Sequence, residues 1–96
     1  MKIRYTASAD AIYIELSDAL IVRTDHIEPG TLVDVDGSGQ AVGIELLQPA
    51  RQWPLDEVVD QYQLSKEDSQ ILSNWWGASD GTARPFPITD KLLVTQ

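Results

Sequence analysis

The stretch "VDVDGSGQAVGIEL", Val33 to Leu46, lies without a gap over "IRYTASADAIYIEL", Ile3 to Leu16. Ser8, Ala11, Ile14, Glu15 and Leu16 recur as Ser38, Ala41, Ile44, Glu45 and Leu46. In both stretches two runs with alternating apolar residues flank a small polar turn. Alternation with period two marks a half-buried strand, and two such runs around a short turn mark a hairpin. With Ala7 to Asp10 as the loop, Thr6 faces Ala11, Tyr5 faces Ile12 and Ile3 faces Ile14. Arg4 then meets Tyr13 and Lys2 meets Glu15 on the wet face. A slip of one residue would turn the apolar row to water, so the pattern pins the register. The same rule sets Val33 against Ile44, Val35 against Val42, Asp34 against Gly43 and Leu32 against Glu45.

Outward from the two hairpins, "LIVRTDHI" (20–27) reads as a further strand, although Leu20, Ile21 and Val22 break the alternation. Asp18 and Ala19 turn the chain before it. Glu28 to Gly30 turn it again, with Pro29 pre-setting φ and Gly30 supplying a positive φ. The N-terminal half is therefore an antiparallel β-meander of about five strands. Past Leu47 the pattern changes. "QPARQWP" (48–54) connects to a short helix in "PLDEVVDQY" (54–62), with Pro54 in the first turn and Asp56 and Glu57 at the positive end of its dipole. "SKEDSQILSNWW" (65–76) reads as a second helix with Ser65 as N-cap and Asp68 three residues on. Its apolar side is expected to hold Leu64, Ile71, Leu72, Trp75 and Trp76, and Gly77 is placed to end it. "ASDGTARPFP" (78–87) is a loop, and "ITDKLLVTQ" (88–96) is either a last strand or a loosely held tail. The expected fold class is α+β in a single domain, 1–96. Residues 1–48 form the meander, and 49–96 form a helical extension and tail that covers one face.

Composition limits the function classes. The chain carries 15 acidic residues against 7 basic ones, a formal charge of -8. Residues 1–48 hold 3 basic and 8 acidic residues and 49–96 hold 4 and 7, so neither half offers a basic face. Nucleic-acid binding rests on clustered Lys and Arg that release counterions, so no nucleic-acid partner is expected. An acidic chain suits a basic protein or a cation. Without cysteine there is no disulfide, thiol nucleophile or Cys-ligated zinc. "MKIRYTASAD" lacks the apolar core of a signal peptide, and no run nears the ~18 apolar residues of a membrane span. A cytoplasmic protein without a membrane partner is the expectation.

Counted from Asp34, "DVDGSGQAVGIE" matches most of the spacing of an EF-hand calcium loop. Its flanks argue against that reading. An EF loop needs a helix on each side, whereas Pro29-Gly30 and the β-branched approach stand before it and a strand follows. Asp34 and Asp36 alternate with Val33 and Val35, as acids on the wet face of a strand do. Glu15 and Glu45 read as solvated strand acids, and Asp10 as a turn residue bonded to backbone. His26 stands without a Cys partner, and Ser8 and Ser38 are turn residues without a base. No catalytic, cofactor or metal residue is assigned. The three tryptophans, Trp53, Trp75 and Trp76, all lie in the extension. They either pack on the sheet or anchor a partner, and they are the candidate interface.

The two hairpins together resemble the small bacterial proteins of domain-of-unknown-function family 2283. The residues that carry the likeness are Tyr5, Ala9, Asp10, Ala11, Ile12, Tyr13, Ile14 and Leu16. After them come Asp36, Gly39, Val42, Gly43, Ile44, Glu45, Leu46 and Leu47. The likeness covers about residues 1–50. This chain has Ala7-Ser8 where the family often has Pro in the first turn, and the extension after Ala50 is unmatched. The resemblance implies a β-rich module with no assigned activity or cofactor and, from the company some members keep, an antitoxin or regulatory partner. The leading expectation is a non-enzymatic interaction or regulatory module that binds a small basic protein or itself as a homodimer. A small-ligand or cation-binding domain is the second reading, and an unrecognised enzyme the third.

Overall fold

A computed structural model describes residues 1–49 and 53–76, together with the backbone of 93–95. Its strands are β1 (Lys2–Thr6), β2 (Ala11–Glu15), β3 (Arg23–Glu28), β4 (Thr31–Val35), β5 (Ala41–Leu47) and β6 (Leu93–Thr95), and its helices are α1 (Leu55–Tyr62) and α2 (Lys66–Trp76). Five antiparallel strands and two helices make the expected α+β fold. Gly77 and the loop 78–87 lie outside the described residues, as do Ala50 to Gln52 of the connector.

All five expected pairs of the first hairpin form, from Lys2 with Glu15 to Thr6 with Ala11. In the second, Leu32 pairs with Glu45, Val33 with Ile44 and Asp34 with Gly43. Val35 then pairs with Ala41 rather than Val42, because a bulge leaves Val42 as the extra residue on β5. The Val42 carbonyl turns this irregularity to use. It accepts the N–H groups of both Leu16 and Ser17, at 2.8 and 3.2 Å, and so anchors the chain as it leaves β2.

The strand order is β3-β4-β5-β2-β1-β6, which is not the expected meander. β2 lies beside β5, not beside β3. The two hairpins thus meet through their equivalent second arms, with Ile12 opposite Leu46 and Ile14 opposite Ile44. Since Ile14 and Ile44 are themselves equivalent in the overlay, a pseudo-two-fold axis normal to the sheet passes between them. The physical reason is burial. Ile12, Ile14, Ile44 and Leu46 are fully buried, and pairing β2 with β5 sets all four together at the centre of the sheet. β3 and β6 flank this four-stranded unit. β6 joins β1 in parallel, so the segment 88–96 contributes a strand.

One sheet face packs on the helices. Ile12, Ile14, Val33, Val35, Ile44 and Leu46 meet Trp53, Leu55, Val58, Tyr62, Leu72 and Trp76 in one cluster. The Ser65 Oγ accepts the Asp68 N–H at 3.0 Å and caps α2 as expected. Gln63 in the left-handed region, φ 50°, ends α1 by donating its N–H to the Val59 carbonyl. On α2 the buried residues are Leu72 and Trp76, four positions apart and so on one side of the helix. Ile71, expected on the apolar side, is 39% exposed instead, because it sits about 100° around the helix from Leu72. Gly30 has φ 88° in the β3–β4 turn, the positive value that the Pro-Gly pair demands.

Candidate functional site

On the sheet face away from the helices, polar side chains are joined rather than scattered. The Tyr13 hydroxyl donates to Asp34 Oδ2 at 2.8 Å, and the Thr24 hydroxyl donates to Asp34 Oδ1 at 2.6 Å. Arg4 stacks over the Tyr13 ring at 5.7 Å from its centroid, and its Nη1 lies 3.9 Å from Glu15 Oε1. Glu15 therefore finds its cation diagonally in Arg4, not in Lys2 directly opposite. Tyr13 reaches Asp34 by lying across Gly43. A Cβ built on Gly43 would come within 2.9 Å of Tyr13 Cε2 and closer still to the hydroxyl. The glycine of "GIE" is thus the floor on which Tyr13 rests. Both oxygens of Asp34 are engaged by the fold.

Asp36 is used in the same way. Its Oδ1 accepts from the Ser38 N–H at 2.8 Å, the Ser38 hydroxyl at 2.7 Å and the Gln40 N–H at 3.0 Å. That is an Asx-type turn closure, the work that the EF-like spacing performs here. The Asp10 carboxylate accepts the Tyr5 hydroxyl at 2.9 Å rather than a backbone group, while its N–H closes the turn on the Ala7 carbonyl and its own carbonyl accepts the Gln48 N–H at 2.8 Å. Among the described residues no three His, Asp or Glu side chains converge as a metal set would.

These carboxylates predict the acid response. The Ser38 hydroxyl, with the Gln40 N–H, holds the Asp36 carboxyl below its usual range, and the Tyr62 hydroxyl, with Arg23, does the same for Asp25. A depressed folded pKa favours folding above the unfolded value near ~3.9, and that contribution is lost as pH falls through the folded value. Urea midpoints should therefore fall below about pH 4. Asp36→Asn should sit lower at neutral pH and converge with the parent in acid. At the other end, burial and Asp34 raise the Tyr13 phenol, burial and Asp25 push Tyr62 up to about 12, and the Asp10 hydrogen bond raises Tyr5. Raised phenols favour folding below the unfolded pKa near ~10, and that favour is lost as pH rises through the folded values. Tyrosinate absorbance should thus lag behind free tyrosine and rise together with alkaline unfolding.

The expected third strand begins later than its sequence suggests. Leu20 is 82% exposed, Ile21 44% and Val22 57%, and regular pairing starts only at Arg23. The broken alternation of "LIV" was the available signal: a residue run that is apolar on both sides cannot bury both at a sheet edge. This run leads into β3, the outermost strand, whose outer edge pairs with no strand among the described residues. On the helix side of β3, Asp25 accepts the Tyr62 hydroxyl at 2.6 Å and Arg23 Nε at 3.0 Å. α1 is thereby pinned to the edge strand, and Asp25 is held in place.

The three tryptophans divide. Trp53 and Trp76 stack edge to face at 5.4 Å between centroids and belong to the core, with 8% and 0% exposure. Trp75 is half-buried at the rim of the same cluster. Of the candidate interface residues, it alone has appreciable surface. Glu45 and Glu15 are half-buried on the polar face, and His26 is exposed on β3.

Fold and surface together define a small α+β domain built from two equivalent hairpins under a pair of helices. Residues 2–48 match the model of the family described as protein of unknown function (DUF2283). No curated protein and no solved structure matches the chain. Among the described residues no helix is long and apolar enough to cross a membrane.

Proposed function

We infer that the chain is a non-enzymatic interaction module and that it meets a protein at the β3 edge. The observation that carries this reading is the run Leu20, Ile21 and Val22, whose apolar side chains stand in water beside an open strand edge. Scattered exposed apolar residues are ordinary on any surface, but a contiguous run next to a strand edge that pairs with no strand among the described residues is the form that strand-addition sites take. The polar groups of the other face point the same way. Both oxygens of Asp34 and Oδ1 of Asp36 serve hydrogen bonds that hold the sheet and its turn. The acidic balance, at -8, suits a basic partner, and the antitoxin-like version of this function draws on that charge and on the family resemblance.

The test is the size of the protein in an extract of its host. The parent chain should elute with a larger species. Leu20→Ser with Val22→Ser should elute at the size of the chain alone. Both positions are exposed, so the pair should shift stability by no more than about 0.5 kcal/mol each. Equal elution of parent and variant would sink the reading.

A further inference from the structure

We propose that the partner at the β3 edge is a second copy of the chain, added antiparallel about a two-fold axis at Thr24. The proposal rests on the interaction reading above and specifies its occupant. A two-fold axis normal to a sheet keeps each face on its own side, so residues of like parity face each other across the new pair. Only registers centred on one residue are then allowed. Centred on Arg23, the axis sets Arg23 against Arg23. Centred on Asp25, it sets Asp25 against Asp25. Centred on His26, it leaves Arg23 and Asp25 opposite uncharged residues. Centred on Thr24, it sets Arg23 against the partner's Asp25 and Asp25 against the partner's Arg23. Opposite charges directly across a strand pair are favourable and like charges are not, so charge selects this register.

Three features of the edge agree with it. Arg23 and Asp25 already bond along the strand, Nε to Oδ1 at 3.0 Å, so the pair of copies would form a square of alternating charge. Asp25 is fixed in that place by the Tyr62 hydroxyl at 2.6 Å. The paired window runs from Val22 to His26 and stops where β3 bulges between His26 and Glu28, so the irregular part of the strand stays outside it. The exposed Val22 is carried onto the partner's His26, and Ile21 is brought towards the partner's Ile27. Charges on an edge strand ordinarily discourage any pairing. Here their order opposes like charges in the registers centred on Arg23 and Asp25, and pairs Arg23 with Asp25 only in the register centred on Thr24.

The chain has no cysteine, so one introduced thiol reports one contact. In the proposed register the two Thr24 Cα atoms lie about 4.5–5.5 Å apart, within disulfide reach, whereas the two His26 Cα atoms lie about 14 Å apart, beyond it. Thr24→Cys should therefore oxidise to a covalent dimer, and His26→Cys should stay single. Arg23→Asp should weaken self-association about tenfold, and Arg23→Asp with Asp25→Arg should recover it. Equal cross-linking of both thiols, or none in either, would overturn the proposal. Light scattering on the parent chain gives an answer independent of any variant, and a monomer at millimolar concentration would overturn it too. If self-association fails while Leu20→Ser with Val22→Ser still changes elution in the host extract, the second copy falls and the interaction surface stands.

Discussion

Trp76→Ala should cost about 3–5 kcal/mol and lower the thermal midpoint by roughly 15–30 °C. Trp76 is fully buried, packs edge to face on Trp53 and closes the cluster that joins both helices to the sheet. Removing the indole forfeits its transfer energy and leaves a cavity that two short helices cannot collapse around. A domain of this size holds about 5–15 kcal/mol in total, so the variant should be partly unfolded at body temperature. Trp76→Phe should recover much of the loss, because it keeps an aromatic ring against Trp53. Trp75→Ala, at the rim, should cost far less. Denaturant melts of the three variants check the ranking. An equal loss at Trp75 and Trp76 would mean that the helix is not seated as described.

Gly43→Ala should destabilise the protein by about 1–3 kcal/mol, although alanine is ordinarily the better strand residue by about 0.5–1 kcal/mol. The reversal comes from Tyr13. An added Cβ takes the space of its ring edge and hydroxyl, so the side chain must swing away and give up the bond to Asp34. Asp34 then keeps only Thr24 in a half-buried place. The same substitution made on a Tyr13→Ala background should be neutral or stabilising, since nothing then occupies the space. The sign change between backgrounds, read from denaturant midpoints, separates this cause from a general intolerance of the strand. A loss of the same size in both backgrounds would contradict it.

Much of this fold was legible because hairpins obey local rules. The alternation in "KIRYT" and "AIYIE" fixed every pair of the first hairpin, and the Ser65 cap and Pro54 placed both helices within a residue or two. What local rules do not carry is the choice between neighbours of similar apolarity. β2 could pair with β3 or β5, and that choice was made by burying four large aliphatic residues together at the centre. The overlay of Ile14 on Ile44 held the clue, since equivalent arms can meet on a two-fold axis. The Val42 bulge was hidden because an extra residue leaves the order of residue types unchanged. On the candidate surface, Trp53, Trp75 and Trp76 drew notice by their rarity, yet two of the three serve the core. The run Leu20 to Val22 read as strand, and only its exposure marks it as surface. The Tyr13–Gly43–Asp34 contact joins three strands and leaves no pattern within any one of them.

The interaction reading is tested most directly by a photo-cross-linking residue placed at Leu20 in the living host, with the same residue at Asp60 on the exposed side of α1 as control. A discrete adduct should form at position 20, by a second copy of the chain or another protein, and none at position 60. No adduct at 20, or the same products at both positions, would contradict a contact surface at the β3 edge.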